Sequence, residues 1–151
     1  MAKNLVGEIV DTNILIRYLV GDDPKQQSQA QRWFREAERG KRKLVIKPIV
    51  VAETCFVLES FYQKKRGEIA DAFEVILSQK WLLVEERKVL LKLFFWYCQG
   101  LHFVDSYLIS WAQENKASVL SFDQKVKKKF RAPGILKNKI TIAPDFDQED
   151  E

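Results

Sequence analysis

Short apolar runs alternate with longer helical stretches along this chain, and that alternation restricts its fold more than any other feature. Residues 7–10 read as a short buried strand, 44–46 as a second, 81–84 as a third, and 118–121 and 139–142 as two more. Helices are expected between them: from Thr12 or Asn13 through Leu19, from Pro24 to Gly40, from Pro48 to about Lys65, over 68–78, 86–98 and 103–115, and a short basic helix over 124–130. The second helix carries Ala30, Trp33, Phe34 and Ala37 at helical spacing. Strands separated by helices cannot pair as hairpins. The expected fold class is therefore α/β, with a central, mainly parallel sheet flanked by helices on both faces.

A chain of 151 residues with 46% hydrophobic content is large enough to bury a sizeable core. It reads as one domain over 1–144 followed by an acidic tail over 145–151, which holds five acids. Setting that tail aside leaves 25 basic against 16 acidic residues, about +9 for the body. The bases cluster at 41–43, 64–66 and 125–131. Such a surface suits a polyanionic partner, and it equally suits solvated helix ends. Cys55 and Cys98 both lie in apolar helical runs and are expected to be buried thiols. The most apolar window, 89–98, is too short to span a bilayer, so no membrane association is expected and the protein is expected to be cytoplasmic. That window suits core or a subunit interface.

Four acids occupy unusual places. Asp11 and Asp123 each follow an expected strand, and in open α/β sheets sites form beyond the carboxyl ends of strands. Glu53 and Asp105 interrupt apolar helical faces: the neighbours of Glu53 are Ile49, Val50, Phe56 and Val57, and those of Asp105 are Leu108, Ile109 and Ala112. Each has an ordinary explanation. Asp11 and Asp123 suit helix caps, Asp105 suits the positive end of a helix dipole, and Glu53 suits a buried ion pair. Together they would make a site for a hard divalent cation, because lone carboxylates are costly to bury unless paired or bound to a cation.

Competing chemistries are poorly supported. With one histidine, His102, and neither HExxH nor CxxC, zinc is a poor fit, whereas an all-oxygen ligand set selects Mg²⁺ or Mn²⁺. There is no Walker A loop, GxGxxG or GxSxG. Asn13 stands where an aspartyl-phosphate hydrolase would carry its second aspartate. The chemistry that remains is metal-assisted hydrolysis of a phosphodiester.

The runs Val10-Asp-Thr-Asn-Ile-Leu-Ile-Arg17, Val51-Ala-Glu53-Thr, Phe103-Val-Asp105-Ser-Tyr-Leu-Ile and Leu120-Ser-Phe-Asp123 resemble, in order and spacing, the four acidic motifs of PIN domains. The likeness extends over about residues 8–142 and is greatest to the VapC-type toxins. It implies Asp11, Glu53, Asp105 and Asp123 as catalytic and metal-holding acids, with Asn13 and Ser121 hydrogen-bonding around them. It also implies metal-dependent cleavage of an RNA substrate, an antitoxin protein that blocks the site, and a homodimer. Ser106 and Ser121 depart from the usual residues at their positions in ways that keep this chemistry open. Arg17, Lys125 and Lys127, close in sequence to Asp11 and Asp123, are candidate phosphate contacts. The helix bearing Trp33 and Phe34 is a candidate face for the antitoxin. A housekeeping RNA-processing nuclease and a module that binds RNA or protein without cutting are the alternatives.

Overall fold

Leu44-Val-Ile46 has no polar side chain, and it forms the central strand of a parallel sheet. In the computed structural model, which describes residues 7–130, the sheet has the order β1 (Glu8–Ile9), β2 (Leu44–Ile46), β3 (Leu83–Val84). The register sets Glu8 beside Leu44, Ile9 beside Val45, Val45 beside Leu83 and Ile46 beside Val84. Parallel neighbours need long crossovers. Helices α1 (Thr12–Leu19) and α2 (Pro24–Glu38) make the first, and α3 (Pro48–Ser60) and α4 (Arg66–Leu77) the second. β2 is buried along its whole length, as expected for a strand covered on both faces. β1 differs from its expectation as a buried strand. Glu8 and Ile9 are exposed, and only the following Val10 is buried, its N–H donating to the Val45 carbonyl at 3.0 Å. β1 lies at the sheet edge, where one side has no neighbour among the described residues.

Two compact units divide the chain, one ending at Arg87 and one beginning at Lys88. In the first, α1 packs against α2 and α3, and α3 against α4. Leu15, Phe34, Ile46, Val51, Ile69, Phe73 and Leu77 are all buried there. Each such side chain contributes roughly 1.5–3 kcal/mol when removed from water. Gly7 leads into β1 with φ +123°, and a Cβ at that position would stand 2.7 Å from Val45 Cγ2. Backbone sign and close approach both require glycine here. Arg87 donates to the carbonyls of Leu77 at 2.6 Å, Gln79 at 2.8 Å and Leu82 at 2.5 Å, satisfying acceptors left open where α4 ends.

The second unit is helical among the described residues: α5 (Arg87–Tyr97, whose first residue belongs to the first unit), α6 (Phe103–Asn115) and α7 (Gln124–Phe130). Its core gathers Trp96, Leu101, Ile109, Ala112, Val119 and Val126. The strand expected at 118–121 does not form. Val119 is buried and Leu120 exposed, so the alternation is present, but the segment pairs with no strand among the described residues. The strand expected at 139–142 lies outside the described residues, as does the acidic tail.

Other departures have local causes. α3 stops at Ser60 rather than near Lys65. Gln63 takes a left-handed backbone at φ 54°, and the Lys64 N–H closes onto the Leu58 carbonyl at 2.9 Å. Gly67 does not separate two helices but lies in the first turn of α4. Cys55 is buried, and burial pushes its thiol pKa up, whereas Cys98 is exposed at the end of α5, contrary to expectation. The apolar run 89–98 is mostly core, with Val89, Leu90, Leu93, Phe94, Trp96 and Tyr97 buried.

Candidate active site

The first crossover brings polar chemistry to the carboxyl end of β1. Asp11 follows directly, in extended backbone, and its Oδ1 accepts from the Ile14 N–H at 2.9 Å, capping α1. One carboxylate oxygen is thereby fixed, while Oδ2 has no protein partner among the described residues. The capping role and a ligand role therefore do not compete. Asn13 is exposed in the first turn of α1, and Arg17 follows one turn later. Asp11, Asn13 and Arg17 line one side of a cleft of about 290 Å³ whose other wall is α2.

Arg17 is held from several sides. Its Nε donates to Gln26 Oε1 at 2.8 Å, and its Nη1 donates to Asp22 Oδ1 at 2.9 Å and to the Tyr62 hydroxyl at 3.4 Å. Tyr62 in turn donates to Asp22 Oδ2 at 2.7 Å. The bond to Asp22 raises the pKa of Arg17, the bond from Tyr62 lowers that of Asp22, and the bond to Asp22 raises that of Tyr62. Sequence reasoning selected Arg17 but missed Asp22 and Tyr62. The Gly21-Asp-Asp-Pro24 turn was the one available signal, and it reads equally as plain capping of α2, which Asp23 supplies by accepting from the Gln26 N–H at 3.0 Å.

Glu53 is not buried. The buried stripe of α3 is Val51, Thr54, Cys55 and Leu58, and residue 53 lies about 200° from positions 51 and 55 at helical spacing. It sits on an outward face between Ile49 and Phe56, which are 77% and 70% exposed. Its apolar neighbours led the sequence reading to the wrong face, because α3 is apolar on nearly every side. Glu53 does not line the cleft at Asp11.

In the second unit, Asp105 lies half-buried in the first turn of α6, beside buried Ser106, whose hydroxyl donates to the His102 carbonyl at 2.9 Å. His102 precedes the helix and makes no side-chain cap. Asp123 begins α7: its Oδ1 accepts from the Lys125 N–H at 2.8 Å, and its own N–H donates to the Ser121 hydroxyl at 3.0 Å. α6 and α7 pack together. Lys125 is exposed, whereas Lys127 is 8% exposed and has little access to a phosphate.

Each unit thus carries two of the four acids. Within neither unit, among the described residues, do three or more Asp, Glu, His or Cys side chains stand where they could hold a metal ion. The donor chemistry nonetheless fits a hard cation. All four are carboxylates, and among the described residues none is paired with a base, a state they share with Asp23, Glu38, Glu68, Asp71 and Glu74.

The PIN-domain family model matches residues 9–131, a span that takes in all four acids and both units. The chain belongs to the PIN-domain family. This PIN protein is also similar to a VapC ribonuclease of Aquifex aeolicus (strain VF5), 28% identical over 78 residues, which are 52% of this chain and 57% of that relative. The chain therefore matches a little over half the length of that curated relative. No solved structure matches it significantly. Among the described residues, no helix is long and apolar enough to cross a membrane.

Proposed function

We propose that the protein is a metal-dependent endoribonuclease that hydrolyses RNA phosphodiester bonds and serves as the toxin of a type II toxin–antitoxin pair. One observation carries this reading. The PIN-domain family model spans residues 9–131, and all four acids stand within that span. The similarity to a VapC ribonuclease supports the substrate class.

Asp11, Glu53, Asp105 and Asp123 would hold Mg²⁺ or Mn²⁺. When bound, such an ion lowers the pKa of a water nucleophile and offsets charge at phosphorus. Asp11 would hold the ion through its carboxylate while Oδ1 also caps α1. Glu53, exposed and unpaired, is suited to accept the proton of the attacking water on a carboxylate oxygen. Ser121 fixes the backbone from which Asp123 projects. Arg17, clamped by Asp22 and Gln26, and exposed Lys125 supply positive charge for phosphate oxygens. An antitoxin that covers the acids and a homodimer in the cytoplasm complete the proposal.

The test is RNA cleavage by partner-free protein. Asp11→Asn and Asp105→Asn should each lower Mg²⁺- or Mn²⁺-dependent cleavage by at least about 100-fold, with circular dichroism unchanged. A wild-type protein that cuts no RNA with either ion refutes the nuclease assignment. Growth arrest on expression, relieved by the product of a neighbouring gene, separates the toxin from a housekeeping nuclease.

A further inference from the structure

We infer that the cleft between α1 and α2 is a base-reading subsite, in which one nucleobase of the RNA stacks on Trp33 and presents carbonyl oxygens to the side-chain amides of Gln26 and Gln29. This rests on the nuclease reading for the identity of the ligand as RNA. The cleft itself rests on its own lining.

Three features converge. The first is size: about 290 Å³ lies at the small end of ligand pockets, enough for one nucleotide and not for a folded segment. The second is a prepared aromatic. In the amide orientation that satisfies its neighbours, Gln29 Oε1 accepts from Trp33 Nε1 at 3.0 Å and from Arg32 Nη2 at 3.2 Å. The indole is part-exposed yet pinned at its polar edge, so its ring is positioned before any ligand arrives. The third is polarity. Gln29 Oε1 is used on Trp33, and Gln26 Oε1 is used on Arg17 Nε at 2.8 Å. What both glutamines offer the cleft is therefore the NH₂ group. Arg17 Nη2, with no partner among the described residues, adds a third donor. A surface of donors favours an edge rich in acceptors, so uracil or guanine should be preferred to adenine, whose amino group would face other donors.

The cleft also carries direction. Asp11 and Asn13 line it together with Arg17, so a base seated on Trp33 has its own phosphate near the arginine and the strand runs on past Asp11. A second cavity, of about 440 Å³, lies by Tyr18, Phe34 and Trp81, but its rings already engage one another, Tyr18 stacking on Phe34 at 4.1 Å. No comparable free face is offered there.

The experiment measures binding of short fluorescent uridine oligomers in EDTA, where nothing is cut, with a single abasic ribose walked along the strand. For wild-type protein, one position should weaken binding by about 5- to 150-fold. Trp33→Ala should lose the same amount and become insensitive to the abasic position, and Trp33→Phe should restore most of the loss. Gln29→Glu keeps the acceptor for Trp33 but removes the amide donor. It should erase the preference for uridine over adenosine oligomers while leaving circular dichroism unchanged. Additive losses from the abasic site and Trp33→Ala overturn the subsite, as does a Trp33→Ala protein that binds RNA normally. Should that same variant lose a co-expressed protein partner, the cleft is a protein-docking site instead. Cleavage of the oligomers with Mn²⁺ separates the two proposals. Cutting without coupling at Trp33 removes only the subsite, and coupling without cutting removes only the nuclease.

Discussion

Asp11 and Asp123 each start a helix and spend one carboxylate oxygen on a backbone N–H, yet the chain anchors them by different means. Ahead of Asp11 is a strand: Glu8 donates to the Lys43 carbonyl at 2.8 Å, and Val10 donates to Val45. Ahead of Asp123 is a segment that forms no ladder among the described residues, where the Ser121 side chain accepts from the Asp123 N–H and Val119 is buried. The first aspartate is positioned by long-range backbone pairing and the second by a local turn. The same side chain in the same role can therefore have very different local stability, because a ladder bond is lost only when the sheet opens, while an Asx-type turn opens alone.

The sharpest way to break this comparison is to damage the sheet-side anchor. Gly7→Ala forces an L residue into a positive φ against Val45, and should cost about 1–3 kcal/mol in thermal unfolding. A melt identical to that of wild type would show that β1 does not anchor Asp11. Next come the caps themselves: Asp11→Ala and Asp123→Ala should each cost about 1 kcal/mol, with Asn in either place restoring most of it. Ser121→Ala should cost about 0.5–1 kcal/mol. Its effect should concentrate in hydrogen exchange at the start of α7, and an effect spread evenly over the chain would contradict a local anchor.

The smallest effect concerns the turn that clamps Arg17. Asp22 has a lowered pKa, so its contribution is present above its unfolded value and is lost as pH falls below about 4. Tyr62 has a raised pKa, so its contribution is present below its unfolded value and is lost as pH rises above about 10. Both groups face solvent, and the turn should loosen at either extreme without global unfolding. Tyr62 ring resonances followed through a pH titration check this, and Tyr62→Phe should remove the alkaline limb.

Much of this arrangement was legible in the residues. β2 was plain because three apolar residues between a basic stretch and Pro48 leave few alternatives, and α1 and α2 were plain from their caps and periodicity. The motif acids were found because carboxylates among apolar neighbours are rare. What failed was the assignment of faces. Glu53 was read as buried because apolar residues surround it in sequence, but burial is set by which neighbours a helix meets, and α3 exposes Ile49 and Phe56. The strand at 118–121 was read from a short apolar run, which permits a ladder but does not form one among the described residues. Trp33 was noted only for its helical spacing and as part of a candidate antitoxin face, and Gln26 and Gln29 escaped notice because glutamines on a helix look like solvated surface until a facing helix turns them into a wall.

Arg87 carries a consequence for how α4 melts. Helix ends ordinarily unravel one residue at a time, since each terminal carbonyl can trade its partner for water at little cost. Here one permanently charged fork binds the oxygens of Leu77, Gln79 and Leu82 together. Loosening the end of α4 therefore also releases the approach to β3, and fraying at that corner becomes a concerted event rather than a gradual one.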